Sequence, residues 1–377
     1  GYAAEAKGHD VSRYPIGPAI VALPFVMPQV VVMDRLDPDW ERDGPRARAE
    51  CWRMGKNASA ALTALAAVAL LHLLQALGLG RVALPTALSV ALGSGYWSVA
   101  SQAPWQHGPA ALCLTLAVLL LLPERPTRFR LVAAGLATAL MVVCRPIDLV
   151  FSATIGLWVL THHRRPQRLW FFGPSGAVAL GLVGFNLWYF ETLSGGYAQI
   201  EAMHPWAHGV KGTWTGNPIN GALGTLFSPS HGLLSFTPWV AFALAALPLA
   251  VSMPRNWSLP RWLLVSLAPY FVLLATYSCW WGGHSFGPRF WIDAVPLFAL
   301  PLGLGLDWAW RHCRLALGLA MVAVTVSVAV QGIGAWCYPS SWHGVPFSAD
   351  RHHERLWDWR DSELTRCLKE GPRPRAW

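Results

Sequence analysis

Runs of apolar residues, each nearly free of charge, follow one another along almost the whole 377-residue chain. A helix that crosses a membrane needs about 20 mostly apolar residues. Candidate segments fall at 16–33, 58–79, 82–100, 108–122, 131–143, 146–161, 169–189, 233–252, 262–277, 290–306 and 314–335. Only 13% of the residues are charged and 54% are hydrophobic, whereas a soluble domain carries about 25% charged residues. One aqueous domain of this size cannot hide so much apolar surface. The same composition excludes disorder, collagen and coiled coil. The predicted class is an all-α, polytopic transmembrane helical bundle of about 10–11 membrane segments. Segment 16–33 is flanked and broken by Pro15, Pro18, Pro24 and Pro28, so it reads as a re-entrant or in-plane element instead of a full crossing. Segments 131–143 and 146–161 meet at Cys144-Arg145-Pro146 and read as one broken pair.

Arginine sets the expected orientation. Loops 123–130, 162–168, 253–261 and 307–314 hold ten arginines: Arg125, Arg128, Arg130, Arg164, Arg165, Arg168, Arg255, Arg261, Arg311 and Arg314. The alternating loops 101–107, 144–145, 190–232 and 278–289 hold only Arg145, Lys211 and Arg289. The first set is therefore expected in the cytoplasm, and the second outside together with the tail. Counting back places 34–57 outside and 1–15 inside. The expected organisation is a multi-span domain over 1–336 and a short extracytoplasmic tail over 337–377. The net charge of +9 is an arginine effect spread along the chain, which does not form a nucleic-acid patch.

Function tends to sit on loops held by a rigid scaffold, and the outer loops are the chemically rich ones. Loop 278–289 reads Ser-Cys-Trp-Trp-Gly-Gly-His-Ser-Phe-Gly-Pro-Arg. Its glycines permit tight turns, and Trp280 and Trp281 offer flat faces for a sugar ring or an isoprenoid chain. His284 and Arg289 offer donors to phosphate oxygens. An aromatic belt with a snorkelling arginine is the competing account. Arg145 and Asp148 stand three residues apart and can pair along a helix; an ionisable group at membrane depth marks function or a structural ion pair. His107 follows Trp105-Gln106 at the mouth of a span. Asp293, four residues after Arg289, can pair with it. Glu191, His204, His208 and Lys211 lie in the long outer loop, and His204-x-x-x-His208 is a weak metal spacing interrupted by Pro205. Asp37-Pro-Asp39 sits among arginines and reads as a mixed-charge loop. Cys337 and Cys367 can form a disulfide in an oxidising compartment, and Cys113 and Cys144 read as packing residues. P-loop, dinucleotide, HExxH and CxxC signatures are absent.

Several motifs in a fixed order carry a resemblance. They are Ser12-Arg-Tyr-Pro-Ile-Gly-Pro18, Trp105-Gln-His-Gly-Pro109, Cys144-Arg-Pro146, Phe227-Ser-Pro-Ser-His-Gly232, Trp280-Trp-Gly-Gly-His-Ser-Phe-Gly-Pro-Arg289 and Leu356-Trp-Asp-Trp359. The chain resembles the GT-C membrane glycosyltransferases, in particular bacterial proteins of the protein mannosyltransferase and lipid A aminoarabinose transferase kind. The resemblance runs from about residue 8 to 366. It implies an inverting transfer from a polyprenyl-phosphate-linked sugar to a glycan, lipid or protein acceptor, at the outer face of a bacterial inner (plasma) membrane. It implies an acidic general base in the first outer loop and basic residues, sometimes with magnesium or manganese, on the leaving phosphate. On this chain, Asp10 is the acid near the expected catalytic loop. Arg289 and His284 suit the phosphate, with Arg145 and His107 beside them and Trp280 and Trp281 for the donor. Members begin with one more membrane helix followed by an acidic motif; this chain opens at Gly1 without a Met, so that helix is expected upstream, and either the catalytic acid lies there with it or Asp10 does the work. Restoring it puts residues 1–15 outside.

Two other classes share these features. A transporter or flippase for lipid-linked sugars would also line a cavity with Arg and Trp, although internal repeats of the transporter kind are not evident. A non-catalytic membrane scaffold derived from the enzymes is the other.

Overall fold

The computed structural model describes residues 3–41, 44–197, 199–200 and 213–372. His204, His208, Lys211, Arg42 and Asp43 lie outside the described residues. The described residues are mostly helical. A short antiparallel hairpin, β1 (Ala3–Ala6) and β2 (His9–Ser12), precedes α1 (Gly17–Leu36), α2 (Gly44–Ala76) and α3 (Gly80–Leu92). Next come α4 (His107–Leu121), α5 (Arg128–Cys144), α6 (Leu149–His162) and α7 (Arg165–Phe190). Beyond the long loop stand α8 (Pro218–Phe227), α9 (Leu233–Phe236), α10 (Trp239–Ala246), α11 (Ser258–Thr276), α12 (Val295–His312) and α13 (Arg314–Cys337). The tail carries α14 (Glu363–Glu370). All eleven apolar segments read from the sequence contain a helix.

Local chemistry starts and stops these helices. Thr127 accepts from the Arg130 amide to cap α5, and Asn217 accepts from the Ile219 and Asn220 amides ahead of α8, whose first residue is Pro218. Ser362 caps α14. Pro146 disfavours helical backbone in the residue before it, so α5 ends at Cys144 and Arg145 is extended, at φ −149° and ψ 107°. α5 and α6 are thus separate legs of the bundle, with the break at its end and not within it.

Ten legs run between two ends: α2, α3, α4, α5, α6, α7, α10 with the turn after it, α11, α12 and α13. Arg145, at the end of α5, touches His107, at the start of α4. This is the site end. At the far end, Trp257 Nε1 donates to Leu77 O and Trp158 Nε1 donates to Ser258 Oγ. The ten arginines of the short basic loops all fall at the far end. α12 is enclosed by the other legs and is apolar on every side, as a central helix must be. Around it lies one continuous core that includes Trp239, Tyr270, Trp291 and Phe298.

Among the described residues, six helices are long and apolar enough to cross a membrane. The bundle's outer faces expose Leu180, Val183, Leu187, Val265, Val272, Leu315, Leu319, Val322 and Val326. α1 has the length but not the placement. Gly17 lies so close to the Val143–Cys144 peptide that a Cβ there would clash. Gln29, three turns on, bonds Met54 O and Asn57. Those residues precede Thr63, the position of α2 that faces Gly108 at the site end. Gln29 is therefore about 10 Å further out than the level of His107, by the helical rise per residue. α1 climbs outward along α2, with Ile20, Leu23, Met27, Val31 and Val32 exposed. It is not a leg, but it is neither re-entrant nor in-plane as the prolines suggested: Pro24 and Pro28 lie inside one unbroken helix that runs along α2. The count that put residues 1–15 at the opposite end from Arg145 is corrected: the hairpin and α1 both stay at the site end, where Lys7 lies over the Trp188 ring and Arg13 bonds Gln199.

Candidate functional site

Two polar clusters meet at the site end; the first uses Phe290 and Asp293, and the second uses loop 278–288 just before them. The first is built around Arg145. Freed from helical geometry by Pro146, its side chain pairs with Asp293 and touches His107 Nδ1 at 2.6 Å. It does not pair with Asp148, three residues away. Both carboxylate oxygens of Asp148 are buried without a hydrogen-bond partner. Asp293 in turn belongs to Arg145 and not to Arg289, which corrects the expected pairing over four residues. His107 Nδ1 stands 3.1 and 3.3 Å from the Asp293 oxygens. With its proton it donates to the carboxylate; without it, it accepts from Arg145. Tyr270 Oη donates to Phe290 O at 2.7 Å and reaches Asp293 Oδ2 at 3.3 Å.

Arg289 is held differently. Its guanidinium carbon lies 4.7 Å from the Trp105 ring centre and 5.3 Å from that of Phe290, cation–π contacts that fix its plane. The Gly282–Gly283 turn, at φ +82° and +66°, passes beside it. Only glycine adopts such backbone without strain. Arg289 has no carboxylate partner among the described residues, and its Nε is buried with no acceptor. An unmet charged donor of this kind is costly to bury unless an anion completes it.

The second cluster joins the loop to the tail. The tail over 338–372 folds back on the site end. His284 Nε2 lies 2.8 Å from Asp350 Oδ2, and Trp281 Nε1 donates to Asp350 Oδ1 at 2.9 Å. The rings of His284 and His343 stack at 4.6 Å. Glu363 accepts from the Gly287 amide at 2.8 Å, and His231 Nδ1 meets Gly287 O at 3.0 Å. His343 Nε2 comes within 2.9 Å of Glu363 Oε1 without hydrogen-bond alignment. Burial pushes Glu363 up to about 7. Burial also pushes His343 down to about 3 and His231 down to about 4. The bond to Asp350 raises His284. Burial alone would raise Asp350, but the bonds from His284 and Trp281 outweigh it and hold the carboxyl below its usual range.

This cluster makes tail docking pH-dependent. A histidine buried in its neutral form stabilises the fold above its unfolded value, and that stability is lost as the pH falls below it. His231 and His343 both act in this sense between pH 6.5 and about 4. Glu363, raised, acts oppositely: its contribution is full below pH 4.5 and lost as the pH rises through about 7. His284, raised, also acts oppositely, with its contribution full below pH 6.5, so the two buried histidines act unopposed only below about pH 4.5. The protection factors of the amides over 338–372 are therefore expected to fall between pH 4.5 and pH 4. Unchanged protection would show that the tail is held independently of these rings.

Of the residues expected from sequence, His107, Arg145 and Arg289 gather on one site, and His284 stands next to it. Trp280 and Trp281 are placed otherwise than expected. Trp281 packs at 4.4 Å on His353 and Trp280 at 6.0 Å on Trp357. Both are buried, so the tail occupies the faces offered to a donor, and Trp105 is the tryptophan that meets Arg289. Asp10 is exposed on β2 and makes no hydrogen bond or ion pair among the described residues. Glu191 ends α7 in the left-handed region at φ 59°. Cys337 and Cys367 are free thiols, not a disulfide, and Cys113 and Cys144 are buried as packing residues. Asp350, His343 and Glu363 escaped the sequence reading, their only signal being a histidine- and tryptophan-rich tail; His231 lies in the Phe227–Gly232 motif but was given no role.

Among the described residues no group of three or more His, Cys, Asp or Glu side chains is placed to hold a metal ion. The residues around Arg145 and Arg289 do not fit a divalent cation, so no step through one is derived. Compared with known families, curated proteins and solved structures, the chain has no match in any of the three.

Proposed function

We propose that this chain is a membrane glycosyltransferase that moves a sugar from a polyprenyl-phosphate donor to an acceptor at its site end. The observation that carries the reading is Arg289, a guanidinium clamped between Trp105 and Phe290 with a buried Nε that lacks an acceptor. Its chemistry suits a phosphate oxygen. Arg145 and His107 stand beside it, held in place by Asp293. As the bond to the sugar breaks, charge grows on the phosphate, and preorganised donors facing that charge speed the step.

The rest of the proposal concerns surroundings. The exposed apolar faces of the bundle suit lipid, and the donor's isoprenoid chain belongs in that phase. The ten arginines of the far end support a cytoplasmic side for that end by the positive-inside rule. The site end then opens outside the inner membrane of a bacterial cell, and the acceptor is a glycan, lipid or protein presented there.

The test uses the purified chain in lipid nanodiscs with radiolabelled polyprenyl-phosphate sugars. Label appearing on an acceptor, with release of polyprenyl phosphate, supports transfer. Movement of intact donor between leaflets without release of the phosphate would support a flippase instead. Binding with neither transfer nor movement would leave the scaffold reading.

A further inference from the structure

We infer that His284, oriented by Asp350, is the base that removes the proton from the acceptor hydroxyl; this rests on the transferase reading above. Sugar transfer with inversion needs such a base close to the departing phosphate. Two contacts orient the ring, and one of them is itself held. Its Nε2 is committed to Asp350 Oδ2 at 2.8 Å, which leaves Nδ1 as the nitrogen able to accept. The second oxygen of Asp350 is held by Trp281 Nε1, so the carboxylate cannot turn away. The face of the ring rests on His343 with an interplanar angle of 19°.

Reach and position complete the argument. The His284 side chain is 59% exposed and that of Asp350 only 6%, so the orienting group is sealed and the base is open to an incoming hydroxyl. The turn before His284 lies along Arg289: Nη2 is 3.9 Å from where a Gly283 Cβ would stand. One loop therefore presents both the group for the acceptor proton and the group for the leaving phosphate. Asp10 has no comparable support, since nothing among the described residues orients its carboxylate.

The step balances as follows. The acceptor oxygen bonds to the anomeric carbon as the bond from that carbon to the phosphate oxygen breaks. The electron pair of the broken bond stays on that oxygen, facing Arg289. The acceptor proton passes to His284 Nδ1, and the imidazolium then releases it to water. The charged and titratable groups facing His284 are Asp350, His343, Arg289 and Glu363. Asp350 strengthens the base by hydrogen bond and charge, and Arg289 weakens it. His284 works when unprotonated, so transfer rises as the pH climbs through a value above that of an ordinary histidine.

The test measures transfer from a polyprenyl-phosphate sugar against pH. For H284Q, kcat is expected to fall about a hundred- to ten-thousand-fold, with little change in donor KM and loss of the acid limb. D350N should move that limb to lower pH with a smaller loss, and added imidazole should restore part of the rate of H284A. D10N should behave as wild type. A wild type that transfers sugar while H284Q retains its rate and limb overturns the inference and leaves the transferase reading standing. So does a limb lost in D10N but kept in H284Q. A wild type that transfers nothing removes both readings.

Discussion

Arg289→Ala is expected to abolish donor use while leaving the fold intact. Removal of one preorganised donor facing developing charge costs about a hundred- to a thousand-fold in rate, and loss of a phosphate contact adds weaker binding. Stability should barely move. Arg289 has no carboxylate partner among the described residues, and what it gives up is cation–π contact with Trp105 and Phe290, worth about 0.5–2 kcal/mol. Its removal also relieves a buried Nε with no acceptor. Lysine keeps the charge but not the planar fork, so Arg289→Lys should bind donor weakly and transfer slowly. Donor binding by filtration in nanodiscs, read beside thermal unfolding, checks both halves. A variant that binds donor as wild type would remove Arg289 from the site. One that unfolds many degrees lower would make it a structural residue.

The fold was legible in the sequence because lipid-sized apolar runs leave little choice of structure. Every run became a helix, and the arginine loops fell together at the far end. The prolines around residues 15–28 suggested a broken, re-entrant or in-plane element, whereas α1 is one unbroken helix, and its climb along α2 needed Gln29, Met54 and Asn57 to be seen side by side. At the site, spacing singled out ions that the fold brings together but assigned them the wrong partners. Arg145 was matched with Asp148 on the assumption of a continuous helix. Pro146 breaks that helix at Arg145 itself, and the freed side chain finds Asp293 on a distant turn. The tail was illegible for a related reason. Asp350 and Glu363 sit in a charged segment that looks solvated, and only the fold shows that they close over Trp281, His284 and Gly287. The same closure explains why Trp280 and Trp281, the most suggestive pair in the sequence, are buried.

Asp293→Asn is expected to do the reverse of Arg289→Ala. Arg145 and Asp293 are both buried, and Asp293 also faces His107 Nδ1 and Tyr270 Oη. Removing one charge of a buried pair leaves the other without its counter-ion, which costs about 3–5 kcal/mol. A change of that size should lower the unfolding temperature markedly and cut the yield of folded protein. Replacing both partners by apolar groups removes the stranded charge, so Arg145→Met with Asp293→Leu should regain much of the loss. The two single variants and the double variant form a cycle whose coupling separates the pair from its parts. If the site reading holds, the double variant is folded and inactive, because Arg145 has left the neighbourhood of the phosphate while Arg289 remains. A double variant that is folded and fully active would assign the pair to architecture alone. An Asp293→Asn protein as stable as wild type would mean that Arg145 finds another counter-charge, and the buried oxygens of Asp148 are where that charge would have to come from.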